Sequence, residues 1–364
     1  MTLRLLFAAG GTGGHIFPAM AVADSCRRFN PEAHIEFVGT RGRLEEKVFP
    51  RAGYRLNFLW ISGLERVLSL KTILLPIKLG VSIIQAWRLL GRLRPNCVIC
   101  AGAYVSLPVG LAASMRGIPL VLMESNAYPG LAIRRLASRA TAIHVAFDQA
   151  AEHFPGVTVV ASGNPVRRVF RDTPDRVSAA QSLGLDPDAL TLFTTGGSLG
   201  ARSINNALDA SIRRLRDQGV QIVWQTGAGY TGGECREKGL YRTMFLDEME
   251  LAYAASDLVL ARAGATTIAE LKAVGRASVL VPLPIEKVRQ MENAIAMRDA
   301  GAAEVIPDNE LGNRLHEVVM RLLGNRERLE EMGRAARAMA VIDADERIAR
   351  HVLALAEKHR STTS

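Results

Sequence analysis

The sequence predicts an α/β protein with two domains of the nucleotide-binding type, each built on a parallel β-sheet. Apolar runs of strand length alternate with helical patterns along the chain, which is typical of βαβ units. The 364 residues exceed the usual size of one domain and suit two. A strand, a glycine-rich loop and a helix follow one another twice, at Gly10 and again at Gly196. The duplication predicts two similar domains.

The apolar runs predict the strands in order. In the first half they lie near residues 3–8, 34–39, 97–101, 119–123 and 142–146. In the second half they lie near residues 157–160, 190–195, 220–225, 257–261, 278–282 and 303–306.

The turn at residues 162–165 predicts the boundary between the domains, because glycine, asparagine and proline break regular structure there. We therefore expect an N-terminal domain at 1–162 and a C-terminal domain at 163–342. Residues 343–364 predict a charged helix, to about Lys358, that crosses back onto the first domain, followed by a polar tail at Ser361–Ser364.

Composition narrows the function classes. The net charge of +9 would attract an anionic partner, which could be nucleic acid, an anionic membrane or an anionic substrate. The alternative is that the basic surface has no function. Only 5% of residues are aromatic and no basic tract interleaves with them, which argues against a nucleic-acid binder. Cys97 and Cys100 fall in one strand and should face opposite ways, which favours core cysteines over a redox or metal pair. We expect no signal peptide and no membrane-spanning segment.

Residues 67–94 are unusual because they combine many apolar side chains with five basic ones and no acidic one. Cationic positions beside a wide apolar surface are typical of a segment that lies against anionic lipid headgroups. A core helix with solvated lysines is the alternative. We expect the segment to contact an anionic membrane surface.

The first glycine loop, Gly10–His15, lacks the dinucleotide fingerprint, because Ile16 stands where its third glycine would be. Glycines allow backbone N–H groups and a helix N-terminus to approach an anion closely. His15 stands at the junction of loop and helix, where the helix dipole disfavours a protonated imidazole. We predict a neutral histidine that acts as a base or contacts a sugar, with simple capping of the turn as the alternative.

A third segment, Arg262–Leu271, begins a helix with small residues and two threonines, which offer donors to a diphosphate. Glu270 follows one turn later, within reach of the two hydroxyls of a ribose. A capping-box carboxylate is the alternative for Glu270. A further helix, opened by residues 289–294, leads into the same region.

Together these motifs resemble the MurG family of glycosyltransferases (family 28), peripheral-membrane N-acetylglucosaminyltransferases of peptidoglycan synthesis. The resemblance covers nearly the whole chain. It rests on motifs that occur in the family's order: Gly10–Pro18, Glu124–Gly130, Gly163–Arg167, Gly196–Ala201, Arg262–Glu270 and Gln290–Ala294.

The resemblance implies a GT-B fold of two Rossmann-like domains and substrate contacts at matching positions. UDP-GlcNAc would bind mainly to the C-terminal domain and lipid I mainly to the N-terminal one. The implied substrate-binding residues are Thr12, Gly13, Gly14, Asn126, Arg167, Ser198, Leu246, Ala265, Thr266, Thr267, Glu270 and Gln290. Arg167 and Ser198 would hold the diphosphate, Leu246 the uracil, Glu270 the ribose and Gln290 the sugar hydroxyls.

The implied reaction is inverting transfer of GlcNAc to the C4 hydroxyl of MurNAc in lipid I, which forms lipid II. His15 is the first candidate for the base and Glu124 the second. We expect no Asp-x-Asp metal clamp and no tightly bound metal, because helix N-termini and Arg167 would stabilise the departing UDP. The resemblance also implies a peripheral position at the cytoplasmic face of the membrane, no nucleic-acid partner, and other cell-wall synthesis proteins as further candidate partners.

Three positions depart from the family pattern. Leu199 replaces a glutamine, Met123 and Ser125 stand in a loop that usually reads HEQN, and Arg289 stands where many relatives have histidine. The alternative functions are a GT-B enzyme with a different lipid acceptor and a UDP-GlcNAc epimerase. A nicotinamide dehydrogenase is disfavoured by the missing fingerprint.

Overall fold

The computed structural model describes residues 2–61, 75–285 and 290–363, and the chain divides into two compact units. The first unit comprises Met1–Arg167 together with Asp343–Ser364, and the second comprises Arg168–Ile342.

The first unit contains a seven-stranded sheet in the order β3-β2-β1-β4-β5-β6-β7, and every pair in it is parallel. Its strands are β1 Arg4–Ala8, β2 His34–Gly39, β3 Arg55–Phe58, β4 Cys97–Cys100, β5 Leu120–Glu124, β6 Ala142–Val145 and β7 Val159–Ala161. Its described helices are α1 Gly13–Phe29, α2 Glu45–Arg51, α3 Leu75–Leu93, α4 Ser106–Met115, α5 Leu131–Leu136 and, from the end of the chain, α13 Ala344–Thr363.

Both faces of this sheet are covered, which is why its strands are apolar runs rather than alternating ones. On one face Phe7, Phe37 and Phe49 stack beneath α1 and α13. On the other face α3, α4 and α5 pack against the alternate residues of the same strands. Cys97 belongs to the first cluster and Cys100 to the second, and both are buried free thiols. The prediction that they face opposite ways is confirmed.

The second unit has the same kind of sheet, in the order β10-β11-β9-β8-β12-β13-β14. Its strands are β8 Thr191–Thr195, β9 Gln221–Gln225, β10 Cys235–Glu237, β11 Leu240–Thr243, β12 Leu258–Arg262, β13 Ser278–Val281 and β14 Ala303–Val305. Its described helices are α6 Arg176–Ser182, α7 Arg202–Asp217, α8 Met249–Ala255, α9 Ala265–Val274, α10 Gln290–Asp299, α11 Leu311–Leu323 and α12 Arg326–Ala338. The β10–β11 pair is antiparallel and the others are parallel.

The structure differs from the predicted strands in two ways. The run near 157–160, assigned to the second half, is β7, which pairs with β6 at the edge of the first sheet. Three strands were not predicted: β3, β10 and β11. They are short and carry charged or polar side chains, so they lack the apolar signal of a buried parallel strand.

The C-terminal helix α13 packs on α1 in the first unit. Arg28 forms an ion pair with Glu346 at 2.7 Å, and Ser25 donates a hydrogen bond to Asp345. The helix runs to Thr363, so the predicted polar tail is wrong for most of its length. The Ser361 hydroxyl donates to the Lys358 carbonyl at 2.8 Å, within the last turn of the helix.

A buried histidine pair joins α13 to β6. Nε2 of His144 lies 3.0 Å from Nδ1 of His351, and His144 is 2% exposed. Burial, and then the charge of His351, lowers the pKa of His144 to about 4. The native state therefore favours the neutral imidazole at this position.

We predict that this pair makes the docking of α13 sensitive to acid. Stability from neutral His144 is fully present above pH 6.5, the pKa of the unfolded chain, and is lost as the pH falls towards 4. The loss is at most about 3 kcal/mol, at 1.36 kcal/mol per unit. Hydrogen–deuterium exchange of residues 344–363 should therefore accelerate from pH 7.5 to 5.0, after correction for the intrinsic exchange rate. His144→Gln should reduce that change, whereas His153→Gln, which alters an exposed histidine, should leave it as in wild type.

Candidate functional site

The first glycine loop follows β1 at the carboxyl edge of the first sheet and leads into α1. The buried carboxylate of Glu45 binds this loop. Its Oε2 accepts a hydrogen bond from the Gly11 N–H at 3.0 Å. Its Oε1 accepts hydrogen bonds from the Thr40 N–H at 3.1 Å and from the Thr40 hydroxyl at 2.7 Å. A side chain at Gly10 would collide with this carboxylate. Glu45 thus fixes the loop. It was not among the predicted site residues, because its sequence context is that of an ordinary charged helix.

Thr12 is the N-cap residue of α1, with extended backbone angles and no side-chain cap bond. Its carbonyl accepts the N–H groups of His15 and Ile16 at 3.2 Å. Gly13 and Gly14 form the first turn of the helix. The predicted residues of this loop therefore lie at a helix N-terminus, which favours anions.

His15 lies in the first turn of α1, and its ring faces Gly102, the second residue after β4. A Cβ at Gly102, whose φ is +94°, would lie 2.7 Å from both Cε1 and Nδ1 of the ring. Nδ1 is buried without a hydrogen bond of ordinary geometry to any described residue. Burial lowers the pKa of His15, and the backbone of Ala101 opposes this in part. The imidazole is therefore neutral at neutral pH.

Glu124 ends β5 and organises the loop that follows it. Its Oε1 accepts the Asn126 backbone N–H at 2.8 Å and side-chain amide at 3.0 Å, and its Oε2 accepts the Gly130 N–H at 2.7 Å. Burial raises the pKa of Glu124, and these hydrogen bonds oppose the rise. Because both oxygens are engaged, the geometry favours positioning of Asn126 over proton transfer. β5 lies two strands from β1, which separates Glu124 from the first loop by about 10 Å.

The second glycine loop, Gly196–Ala201, lies at the carboxyl edge of the second sheet between β8 and α7. The Gly197 N–H donates to the Thr195 hydroxyl at 3.0 Å, and Gly200 N–H donates to the Gly197 carbonyl at 2.9 Å. At Gly200 φ is +76°, and a Cβ there would lie 2.2 Å from the Thr226 carbonyl oxygen. The backbone cradle is therefore built by close packing against the next loop. Leu199 is 68% exposed, and its side chain takes no part in that packing.

The first turn of α9 lies at the same edge, after β12. Its N-cap residue is Gly264, which brings no side chain over the N-terminal N–H groups of Ala265, Thr266 and Thr267. A Cβ at Gly264 would lie 3.9 Å from both the Gln290 amide nitrogen and the Thr267 hydroxyl. Gln290 is oriented by the Leu283 N–H, which donates to its Oε1 at 2.9 Å. The structure thus brings Gln290 and Thr267 together.

A cavity of about 490 Å³ lies at the start of α10. Gln290 lines it, together with residues of the loops after β13 and β14. Arg289, where the family pattern has histidine, lies outside the described residues.

Two further residues support α9, and sequence reasoning did not assign them a role. Arg262 donates to the Val281 carbonyl at 3.2 Å, to Ser203 at 2.7 Å and to Asp308, which ties β12, β13 and α7 together. Asn293 is 3% exposed and donates to the Ala263 carbonyl at 3.1 Å, while its Oδ1 is buried without a partner among the described residues. The available signal for both was their position inside the motifs Arg262–Glu270 and Gln290–Ala294.

The remaining predicted residues are placed as follows. Glu270 is buried in α9 and accepts the Tyr253 hydroxyl at 3.0 Å. Leu246 is 5% exposed and follows β11. Ser198 belongs to the second glycine loop. Arg167 is the last residue of the first unit, where its guanidinium lies 5.2 Å from the Phe17 ring centroid, so it belongs to a different unit from Ser198.

The chain contains two Asp-x-Asp tripeptides, contrary to the expectation of none: residues 186–188 and 343–345. The first precedes β8 and forms a turn in which Asp186 accepts the Asp188 N–H at 3.0 Å. In the second, Asp343 pairs with Arg347 at 2.9 Å and Asp345 accepts from Ser25. Neither lies at the carboxyl edge of its sheet. Among the described residues, no group of three or more His, Cys, Asp or Glu side chains could hold a metal.

Two units of this kind, each a mainly parallel sheet of nucleotide-binding type with a glycine loop at its carboxyl edge, define a protein of the GT-B fold class. The profile of the glycosyltransferase family 28 N-terminal domain matches residues 5–145, and that of the family 28 C-terminal domain matches residues 191–348. The chain belongs to glycosyltransferase family 28.

Two relatives are similar to this chain over nearly its full length. A Salinibacter ruber protein named UDP-N-acetylglucosamine--N-acetylmuramyl-(pentapeptide) pyrophosphoryl-undecaprenol N-acetylglucosamine transferase is 42% identical over 365 residues, covering 98% of each chain. A Chlorobaculum tepidum protein of the same name is 38% identical, covering 98% of this chain and 100% of its own.

Solved structures are also similar to this chain. The crystal structure of Acinetobacter baumannii MurG is 26% identical, with a TM-score of 0.71, and the match covers 97% of this chain and 99% of that one. The crystal structure of a UDP-N-acetylglucosamine 2-epimerase has a TM-score of 0.67 at 16% identity, and the match covers 97% of this chain and 96% of that one, a likeness of fold alone.

Proposed function

We propose that this glycosyltransferase transfers GlcNAc from UDP-GlcNAc to the C4 hydroxyl of MurNAc in lipid I, with inversion, to form lipid II. The names of the relatives describe this transfer. The observation that carries the proposal is the first turn of α9, where a glycine N-cap leaves a helix N-terminus open beside the oriented amide of Gln290. Such a turn suits a diphosphate, and the amide next to it suits sugar hydroxyls.

The donor half of the site lies in the second unit. Ala265–Thr267 and the second glycine loop, with Ser198, would receive the diphosphate. Glu270 would accept from the ribose, in competition with the Tyr253 hydroxyl that it now accepts from. The backbone of Leu246 would meet the uracil, since it forms no hydrogen bond with another described residue.

The acceptor half lies in the first unit. The first glycine loop, with Thr12, Gly13 and Gly14, would face the diphosphate of lipid I, and Asn126 would contact the sugar. The C4 oxygen attacks the anomeric carbon, the bond from that carbon to UDP breaks, and the hydroxyl proton passes to His15. Neutral His15 can accept that proton, whereas both oxygens of Glu124 are engaged. Helix N-termini and Arg167 would stabilise the charge on departing UDP.

We further propose that no tightly bound metal takes part, because the Asp-x-Asp carboxylates are engaged away from the carboxyl edges. Turnover that survives EDTA would support this statement, and turnover restored only by Mg²⁺ or Mn²⁺ would overturn it.

The deciding experiment is to incubate the protein with labelled UDP-GlcNAc, with and without lipid I, and to identify the products. The proposal expects labelled lipid II and free UDP only when lipid I is present. Conversion of UDP-GlcNAc to its 2-epimer without acceptor would instead identify an epimerase. Labelling of another polyprenyl-linked sugar in preference to lipid I would identify a different lipid acceptor.

We propose that α3 brings the enzyme to an anionic membrane surface. The described part of the predicted segment 67–94 is a helix with exposed Ile77, Ile84 and Trp87, while residues 67–74 lie outside the described residues. Trp60 is also exposed. Within the described residues, no helix is long and apolar enough to cross a bilayer. The exposed apolar side chains beside Arg88 and Arg92 support contact with lipid at the cytoplasmic face.

Replacing Ile77 and Ile84 together by serine should weaken binding to phosphatidylglycerol vesicles by about 30–900-fold, because each inserted side chain contributes about 1–2 kcal/mol. Vesicle sedimentation measures the effect. Leu199→Ser, which removes an equally exposed apolar side chain from the second unit, is the matched control and should bind as wild type does. Unchanged binding of the double variant would show that α3 does not dock.

Roles in cell shape and cell division, and contacts with other cell-wall synthesis proteins, belong to the same proposal. Depletion of the enzyme in its host should produce misshapen cells if lipid II supply depends on it.

A further inference from the structure

Three polar side chains meet at the carboxyl edge of the second sheet: Arg262, Ser203 and Asp308. Arg262 ends β12, three residues before α9 begins. Ser203 is the second residue of α7, the helix that follows the second glycine loop. Asp308 follows β14 and lines the cavity at the start of α10. This triad therefore stands beside both of the helix N-termini at which we place the donor diphosphate.

Hydrogen bonds close the triad into a ring. Nη2 of Arg262 donates to the Ser203 hydroxyl oxygen at 2.7 Å, and that hydroxyl donates to Oδ1 of Asp308 at 2.6 Å. Nη1 of Arg262 completes the ring through an ion pair with the same Oδ1. Because a guanidinium can only donate, the proton of the Ser203 hydroxyl must point to Asp308. Each of the three groups therefore has a fixed orientation.

The backbone on both sides of Arg262 is fixed as well. Nη1 of Arg262 lies 3.2 Å from the Val281 carbonyl oxygen and 3.4 Å from the Pro282 carbonyl oxygen, where β13 ends. Asn293 donates at 3.1 Å to the carbonyl of Ala263, the residue that follows Arg262. The segment that leads into α9 is therefore bound by β13 through Arg262 and by α10 through Asn293.

The triad is more buried than stability alone requires. The side chain of Arg262 is 10% exposed and that of Asp308 is 21% exposed, so both charges have lost most of their hydration. Apolar residues of similar volume often give equal or greater stability at such a position. A buried charged network does fix geometry, because its members must stay within hydrogen-bond distance of one another. Its burial therefore favours a role in positioning.

The first unit holds its glycine loop in a simpler way. There Glu45 accepts the Gly11 N–H and so fixes the loop before one helix, α1. The triad instead connects the starts of two helices, α7 and α9. This connection matters for a diphosphate, because two helix N-termini can bind its two phosphates together only at a suitable spacing.

We propose that Arg262 is a positioning residue for donor binding. Through Ser203 and Asp308 it sets the spacing of the N-termini of α7 and α9 so that both bind one nucleoside diphosphate. This inference rests on the proposed function, which places the diphosphate of UDP-GlcNAc between these two turns. Arg262 acts through the triad, because Nη1 and Nη2 are both engaged with protein acceptors. The triad should therefore matter for binding of the diphosphate and not of the nucleoside.

A comparison of UDP with uridine tests the proposal, because uridine has the uracil and the ribose but no diphosphate. Arg262→Lys keeps the charge and loses the planar fork that reaches Ser203 and Asp308 together. Ser203→Ala keeps the ion pair and removes the link to α7. Each variant should raise the Kd of UDP at least tenfold, and change the Kd of uridine less than twofold, in NMR titrations. Ser203→Thr keeps the hydroxyl and should bind UDP as wild type does.

Arg276→Lys is the matched control for a purely structural arginine of the same unit. Arg276 follows α9 and donates to the Tyr253 and Ala254 carbonyls at 2.8 and 2.9 Å. Arg276→Lys should lower the thermal stability and leave the ratio of the two Kd values as in wild type. If Arg262→Lys does not fold, Ser203→Ala decides the question, because it leaves the Arg262–Asp308 ion pair in place.

The wild-type titration separates this inference from the proposed function. If wild type binds UDP no more tightly than uridine, the proposed donor site is wrong and the inference is wrong with it. If wild type prefers UDP, and Arg262→Lys and Ser203→Ala keep that preference as Arg276→Lys does, the donor site stands and the positioning role of Arg262 is overturned.

Discussion

His15→Gln is expected to lower kcat by about 10²–10⁴-fold, the contribution of a positioned general base. The binding of UDP-GlcNAc should change little, because the residues proposed to bind the donor, apart from Arg167, lie in the second unit. The pH profile gives a second readout. Burial lowers the pKa of His15 from 6.5, so the wild-type kcat/KM should hold down to about pH 6.5 and fall only below it, as the imidazole gains a proton. His15→Gln should lack that acid limb.

Steady-state kinetics with lipid I from pH 5 to 9 makes the measurement. His153→Gln changes an exposed histidine of the same unit and should retain both kcat and the acid limb. A His15→Gln enzyme with wild-type turnover would remove His15 from the reaction.

Glu45→Gln is expected to destabilise the first unit by about 2–4 kcal/mol, because a buried charged acceptor of three hydrogen bonds is lost. Glutamine has the same length, but its amide nitrogen would face either the Gly11 N–H or the Thr40 donors. The loop should then shift, and kcat/KM should fall even at temperatures where the protein is folded.

Glu46→Gln is the matched control, since this neighbour in α2 accepts the Gly42 N–H from an exposed position. It should cost under about 1 kcal/mol. Urea unfolding monitored by exchange in the first unit compares the two variants. Equal stability of the variants would show that the glycine loop does not depend on the Glu45 carboxylate.

Much of the fold follows from local sequence. Runs such as residues 3–8 and 190–195 are apolar and flanked by turns, and the structure places β1 and β8 there. Both glycine loops follow these strands and lead into helices, as the spacing predicts. The short β10 and β11 were missed because strands of three and four residues that include charged side chains carry little periodic signal.

The candidate site was predicted unevenly. Thr267 and Gln290 were assigned separately through the family resemblance, and the structure brings them together beside Gly264. Glu124 was assigned as a second base, and the structure shows both its oxygens accepting hydrogen bonds. Whether a carboxylate is free for chemistry depends on its neighbours in space, which sequence spacing does not reveal.

The sequence by itself determined two parallel-sheet domains, the place of each glycine loop and the family of the chain. These depend on short-range patterns: apolar runs, glycines and helix starts within about ten residues of one another. Only the tertiary structure decided that α13 returns to α1 and that Glu45 holds the first loop. Each of those contacts joins residues from separate elements, often distant along the chain. Their formation depends on how whole elements pack, a property that no local pattern records.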